Sequence, residues 1–202
     1  RHPEDEVIAL DLLTYAGNRA NLEDVEEQIT FVEGDIADAD LGRRLFEDQG
    51  AEVVVNFAAE SHNSLAVVDP GRFFRTNVIG TQTLLDAARQ AGTVKRFHHV
   101  STCEVYGDLA LDTDEVFTEY SPYEPRTPYN ASKAAADHAV RAYHETYGLP
   151  ISITNCSNNY GPFQFPEKVI PLFVTNALDD QPLPMSASTQ NKREWLQALA
   201  HC

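Results

Sequence analysis

Apolar residues along this chain follow two alternating rhythms. Short, nearly continuous runs recur as "VIALDLL" (residues 7–13), "ITFVEGDI", "AEVVVNFAA", "RFHHVST" and "PISITNCSNN", each of a length that suits a buried strand. Between them the apolar positions spread to helical spacing. "ADADLGRRLFEDQG" places Leu41, Leu45 and Phe46 on one face. "DPGRFFRTNVIGTQTLLDAARQAG" predicts a long helix, with Asp69 placed to cap it, Pro70 in its first turn and Gly92 at its end. "TPYNASKAAADHAVRAYHETYG" predicts a second long helix. The unbroken "VVV" of the third run predicts a strand buried on both faces.

Strands alternating with helices imply parallel crossovers, and hence an α/β fold with a doubly wound, Rossmann-like parallel sheet. Ligands in such sheets bind outside the carboxyl ends of the strands. Asp11, Asp35, residues 58–61, residues 101–104 and residues 155–159 all fall at such ends. The acidic, proline-bearing "DLALDTDEVFTEYSPYEPR" reads as a lid or partner-contacting loop.

Two of these places carry candidate chemistry. "STCEVYG" sets a hydroxyl, a thiol and a carboxylate side by side at a strand end, in Thr102, Cys103 and Glu104. "YNASK" spaces Tyr129 and Lys133 four apart, on one helix face. A lysine ammonium beside a phenol favours the phenolate, so Tyr129 is expected to have a lowered pKa. Such a tyrosine can take a proton from a sugar hydroxyl as a hydride leaves the same carbon. Alone, the Tyr/Lys spacing equally describes a half-buried tyrosine beside a surface lysine; Thr102 at the preceding strand end tips the balance. Asp11 suits the hydroxyls of an adenosine ribose, or simply a turn.

Composition narrows the field further. The 202 residues fit one domain, with 43% hydrophobic and 23% charged residues. A formal net charge of −16 argues against nucleic acid or an anionic membrane as partner. No apolar run approaches the roughly 18 residues of a membrane span. Cys103, Cys156 and Cys202 are odd in number and scattered, which argues against a disulfide framework or zinc site and favours a cytoplasmic setting. The histidines show no metal-ligand pattern, so no metal is expected; His62 alone lies beside a candidate cofactor strand end. The scarce cations Arg72, Arg75, Lys168 and Arg193 are candidates for phosphate contacts, or for pairing with nearby carboxylates.

Taken together, "DLLTYAGN", "GDI", "NFAAESH", "RTNVIGTQTLLDAAR", "VSTCEVYGD", the Tyr/Lys helix and "TNCSNNYGPFQFPEKVIPLFVTNAL" resemble the extended short-chain dehydrogenase/reductase superfamily. Within it they resemble the dTDP-glucose 4,6-dehydratases of the NAD-dependent epimerase/dehydratase family. "SNNYGPFQFPEK" carries the most specific part of the likeness. The resemblance implies a lyase using NAD, with a nucleoside-diphosphate sugar as substrate and a homodimer when complete. It implies catalytic roles for Thr102, Cys103, Glu104, Tyr129 and Lys133. For NAD it implies Asp11, Thr14, Asp35, Ile36, Phe57, Ala58, Ala59, Ser61, Thr76, Ser101, Tyr129, Lys133 and Asn159. For the substrate it implies Ser61, Thr102, Asn158, Lys168, Val169 and Arg193.

The departures matter as much. Cys103 stands where the resemblance leads one to expect an aspartic acid, and Leu12 where a basic residue is common. The thiol either donates the proton for water elimination, or leaves that step to Glu104, or is a small residue packed under the site. A 4-epimerase or decarboxylase would not need an acid there, and a scaffold that has lost its chemistry is the alternative of another class. No GxxGxxG precedes Asp11. The chain therefore reads as the central portion of a longer enzyme lacking the first strand and glycine-rich loop, inactive in isolation. Residues 1–162 are expected to form the NAD-binding part and residues 163–202 the start of the substrate-binding part.

Overall fold

The computed structural model describes residues 4–184 and 192–201. Cys202 and most of "MSASTQNKREW" lie outside them. Strands β1 (Val7–Asp11) and β2 (Ile29–Glu33) pair in parallel, Val7 opposite Ile29 and Asp11 opposite Glu33. Strands β3 (Val53–Asn56), β4 (Arg96–Thr102) and β5 (Ile151–Cys156) form a second parallel sheet in that order. A third pair joins β6 (Asn158–Tyr160) to β7 (Trp195–Gln197), also parallel. Every pairing is thus parallel, as the alternating strand and helix patterns require. Among the described residues the first two sheets are not bonded to each other, and β1 and β3 each leave an edge unpaired.

The helices are α1 (Ala39–Glu47), α2 (Asn63–Val68), α3 (Pro70–Phe73), α4 (Thr81–Ala91), α5 (Pro128–Tyr147), α6 (Val169–Leu178) and α7 (Ala198–His201). Helix α5 is fixed at both ends. Thr127 accepts a bond from the Asn130 amide at 3.1 Å, Pro128 occupies the first turn, and Gly148 closes the helix in the left-handed region. A cap of this kind contributes about 1 kcal/mol. Helix α1 begins likewise at Asp38, whose carboxylate accepts the amides of Asp40 and Leu41.

Where one long helix is expected over residues 69–92, the chain forms three pieces. Between α3 and α4 lies a π-helical segment, Phe74–Gly80. Asp69 makes no side-chain capping bond to α3; its amide closes α2 instead, on the Leu65 carbonyl. Gly92 does end α4 in the left-handed region. Gly80 is required by contact: a Cβ there would sit 2.6 Å from Ile36, beyond β2. The 3-10 stretch Arg19–Gln28 and helix α2 have no counterpart in the periodicity.

The core gathers Ile36, Phe46, Leu84, Leu85, Ala88, Val94, Phe97, Val140 and Leu149, with Leu10 and Val54 packed against it from β1 and β3. The expectation that β3 is buried on both faces fails. Val53 is 60% exposed and Val55 48%, because no described element covers the face they share, while Val54 packs on the other. Among the described residues no helix is long and apolar enough to cross a membrane, and no group of three or more His, Cys, Asp and Glu could hold a metal ion.

Candidate active site

Strand β4 ends at Thr102 and passes into a single 3-10 turn, Cys103–Tyr106. The Thr102 hydroxyl begins that turn by accepting the Glu104 amide at 3.2 Å. Gly107 ends it with φ +93°, where a Cβ would lie 2.8 Å from the Glu124 carbonyl oxygen. This tight exit holds Thr102, Cys103 and Glu104 in register at the sheet's carboxyl edge. The Glu104 carboxylate is met by Arg193 Nη1 at 3.5 Å and by Asn63 Nδ2 at 3.5 Å. Cys103 is a free thiol packed against Val105, Tyr106 and Ala134, and burial, with the Glu104 charge behind it, pushes its pKa up. It is therefore protonated at neutral pH and able to donate.

Tyr129 enters from the first turn of α5, edge-on to Phe73 with ring centroids 6.3 Å apart. Its phenol pKa is raised, first by burial and then by the Glu104 charge, while a bond from Thr102 acts in the lowering direction. The expected lowering by Lys133 does not occur in this state. Lys133 Nζ is turned to the Val100 carbonyl at 2.8 Å and lies 3.5 Å from His99 Nε2, under the strand. Burial lowers Lys133 from 10.5 to about 8, partly offset by the charge of Asp137. Thr102, Cys103, Glu104 and Tyr129 are thus brought together, with Lys133 one helical turn along and below them.

A cavity of about 230 Å³ opens between the carboxyl ends of β1, β2 and β3. Asp11, Thr14, Asp35, Ile36, Ala58, Ala59 and Thr76 line it. Asp11 uses one carboxylate oxygen to accept the Leu13 amide at 2.7 Å. Asp35 accepts the Ala37 amide and pairs with Arg75 at 3.3 Å. The side chains at the mouth therefore fit a group rich in hydroxyls. Phe57 is 62% exposed just beyond β3. A second cavity of about 280 Å³ shares Thr14 and Ala59 with the first and adds Ser61, Gln164, Phe165 and Lys168. Lys168 donates to the Ser61 carbonyl and hydroxyl, while Glu167 accepts from the Tyr15 hydroxyl at 3.0 Å. Val169 opens α6, and Asn158 starts β6 beside Asn159, whose amide reaches Cys156 and the Ser157 carbonyl.

Not every candidate faces a cavity. Ser101 is buried, with its hydroxyl donating to Asp137 at 2.8 Å, so that side chain points beneath the site. Each scarce cation has a carboxylate neighbour: Arg72 with Glu60 at 2.6 Å, Arg75 with Asp35, Lys168 with Glu167 at 3.6 Å and Arg193 with Glu104. Sequence reasoning passed over Asn77. It sits in the π-helical segment, bonds both backbone groups of Glu60, and donates to Ser132 at 2.8 Å, tying the β3 end to the Tyr129 helix. Its signal was a polar residue at a position facing the core.

Residues 1–200 match the model of the NAD dependent epimerase/dehydratase family. The chain is 50% identical over 206 residues to a dTDP-glucose 4,6-dehydratase of Xanthomonas campestris, covering 97% of this chain and 58% of that protein. It is 50% identical over 200 residues to the Mycobacterium tuberculosis dTDP-glucose 4,6-dehydratase, covering 99% and 59%. The solved structure of the dTDP-glucose 4,6-dehydratase DesIV from Streptomyces venezuelae, with NAD bound, superimposes with a TM-score of 0.93 at 54% identity, covering 98% of this chain and 60% of that one. The chain spans about three fifths of the length of these relatives. A match over almost every residue, joined to a parallel α/β frame with cavities at its strand ends, establishes that the chain belongs to the NAD dependent epimerase/dehydratase family.

Proposed function

We propose that the full-length protein is an NAD-dependent nucleotide-sugar 4,6-dehydratase. Its substrate is dTDP-glucose or a closely related nucleoside-diphosphate hexose, and its product the 4-keto-6-deoxy sugar. The observation that carries this reading is the grouping of Thr102, Glu104 and Tyr129 around a protonated Cys103. It is supported by the 50% identity to dehydratases across the same segment.

The donor set at the first cavity fits NAD in part. Asp11 offers a free carboxylate oxygen for the adenosine ribose hydroxyls, and Asp35 with Ile36 borders the place of the adenine. Phe57, Ala58, Ala59, Ser61, Thr76 and Asn159 complete the set assigned to the cofactor, while the Ser101 side chain is turned beneath the site to Asp137. Held by these residues, NAD would supply the hydride acceptor for C4 of the sugar and, once reduced, the hydride donor for C6.

The chain's own residues do the remaining work. Tyr129 takes the proton from the C4 hydroxyl, oriented by the Thr102 hydroxyl. With its pKa raised the Tyr129 phenol is protonated here, so it takes this proton once positive charge favours the phenolate, which Lys133 would supply by turning from the Val100 carbonyl. The resulting ketone acidifies the C5 hydrogen, which Glu104 removes. Cys103 gives its proton to the departing C6 hydroxyl. Ser61, Asn158, Lys168, Val169 and Arg193 hold the sugar nucleotide, with Lys168 and Arg193 turning from their present carboxylates to its phosphates.

Cys103 in place of a carboxylic acid favours one second reading, a 4-epimerase or decarboxylase that needs no acid at C6. Deuterium placed at C4 of the sugar separates the readings. It arrives in a C6 methyl group for a dehydratase, returns to C4 for an epimerase, and stays in unchanged substrate for a scaffold. We further propose a cytoplasmic homodimer joined through α4 and α5, where Tyr147 is 56% exposed. Residues 1–162 would form the cofactor part and residues 163–202 the start of the substrate part. Sedimentation of the full-length protein tests the dimer.

A further inference from the structure

Behind the candidate site lies a buried polar cluster to which no role has been given. Asp137 follows Lys133 by one helical turn on α5 and is fully buried, as is His99 of β4. One Asp137 oxygen, Oδ2, accepts three bonds: from Ser101 Oγ at 2.8 Å, Tyr123 Oη at 2.9 Å and Asn155 Nδ2 at 3.2 Å. The other, Oδ1, has no hydrogen-bond partner and faces His99 Nε2 at 3.5 Å. The same ring nitrogen lies 3.5 Å from Lys133 Nζ. Asn56 Nδ2 approaches the far ring nitrogen of His99 at 3.3 Å and donates to Thr81 at 3.1 Å. A buried carboxylate with one oxygen saturated, whose other oxygen faces the same His99 nitrogen that a buried ammonium faces from one helical turn away, is the arrangement of an indirect counter-ion.

We propose that Asp137 is a positioning residue for Lys133: its buried carboxylate, spaced by the neutral ring of His99, keeps the lysine charged and directed at the strand above.

Three observations support this. Lys133 is only 3% exposed, so water cannot supply the compensation that its charge requires. Asp137 is the carboxylate acting on it, and it acts to raise a pKa that burial has lowered. His99 is held neutral, its pKa driven down to about 3 by burial and by Lys133, so it adds no competing positive charge. The other titratable groups facing the pair are His98 of β4, Cys156 of β5, Tyr106 and Tyr123 before α5, and Arg141 farther along it. Tyr123 links Asp137 to that exposed arginine, whose Nη2 donates to its hydroxyl at 3.0 Å. The inference rests on the reading in which Tyr129 and Lys133 carry out sugar oxidation.

The test compares wild type, Asp137→Asn, Tyr123→Phe and Lys133→Met in the full-length protein, by two independent readouts. The first is unfolding by denaturant against pH without nucleotide. Lys133 releases its proton near pH 8 when folded and near 10.5 when unfolded, so it makes stability rise with pH across that window. In Asp137→Asn the rise should begin at lower pH, by about one unit or more, and in Lys133→Met it should vanish. The second readout is single-turnover NADH absorbance with NAD+ and dTDP-glucose, where the alkaline limb should move the same way. Tyr123→Phe removes one donor but leaves the Asp137 charge in place, so its onset should stay near that of wild type. An onset in Asp137→Asn that stays put or moves to higher pH overturns the proposal, as does a wild-type slope that survives in Lys133→Met. A wild type that forms no NADH would count against the functional reading alone, because the unfolding titration still decides the role of Asp137.

Discussion

Lys168 Nζ lies 3.1 Å from the Ser61 carbonyl oxygen and 3.2 Å from its hydroxyl, although 107 residues separate them. One lysine thereby ties the segment before α6 to the loop after β3, across the mouth of a cavity. Glu167 reinforces the tie, reaching Tyr15 at 3.0 Å and His62 at 3.6 Å. Lys168→Ala removes both bonds and the cation. The expected result is a KM for the sugar nucleotide raised about tenfold or more, with kcat changed less, since a lost charged hydrogen bond costs roughly 1.5–3 kcal/mol. Steady-state kinetics of the full-length protein check it.

Tyr129→Phe removes the phenol proposed to accept the substrate proton. NADH formation in a single turnover should fall by about 10² to 10⁴, with NAD binding retained. Retained binding is the part that separates loss of a base from loss of the fold, and calorimetric titration reads it.

Cys103→Asp should speed water loss without altering the rate of C4 oxidation. Cys103→Ala should slow water loss alone. Both follow from a thiol that is protonated but a poor hydrogen-bond donor. Rapid-quench separation of the 4-keto intermediate from the dehydrated product checks the pair.

His99 makes stability depend on acid. Its pKa is about 3 in the fold against 6.5 free, so below pH 6.5 the unfolded chain binds a proton that the native chain refuses. Stability should therefore fall as pH drops from 6.5 towards 3, by at most about 5 kcal/mol at roughly 1.4 kcal/mol per unit. His99→Gln should flatten that slope in denaturant titrations at stepped pH, whatever it does to stability at pH 7.

Gly80→Ala should destabilise by about 1–3 kcal/mol. The new methyl group would meet Ile36 at 2.6 Å where the π-helical segment crosses the loop after β2. Thermal unfolding of the full-length protein checks it, and Gly80→Ala with Ile36→Val should recover part of the loss.

Residues whose role follows from local pattern were readable in the sequence. β4 spans Arg96–Thr102, the residues of the "RFHHVST" run, because alternation and a polar end are local signals. Thr127, Pro128 and Gly148 likewise mark the limits of α5 without any tertiary information. The π-helical turn at Phe74–Gly80 was not readable, since a shift of hydrogen-bond register leaves no trace in apolar spacing. The exposure of Val53 and Val55 depends on what covers β3, which lies outside a strand's own residues. At the candidate site, spacing alone aligned Tyr129 with Lys133, but where the ammonium points is set by Val100 and His99 on another element. Asp137 left no such signal: an acid one turn beyond Lys133 on a helix reads as a surface ion pair, and its burial is set by Ser101, Tyr123 and Asn155 on other elements.

The measurement that tests the central claim most directly is the mass of the sugar nucleotide after incubation of the full-length protein with NAD+ and dTDP-glucose. The account predicts loss of one water, with the product carrying a 4-keto group and a C6 methyl. An unchanged mass after complete incubation would contradict it, and would show that Thr102, Cys103, Glu104 and Tyr129 are not assembled for elimination.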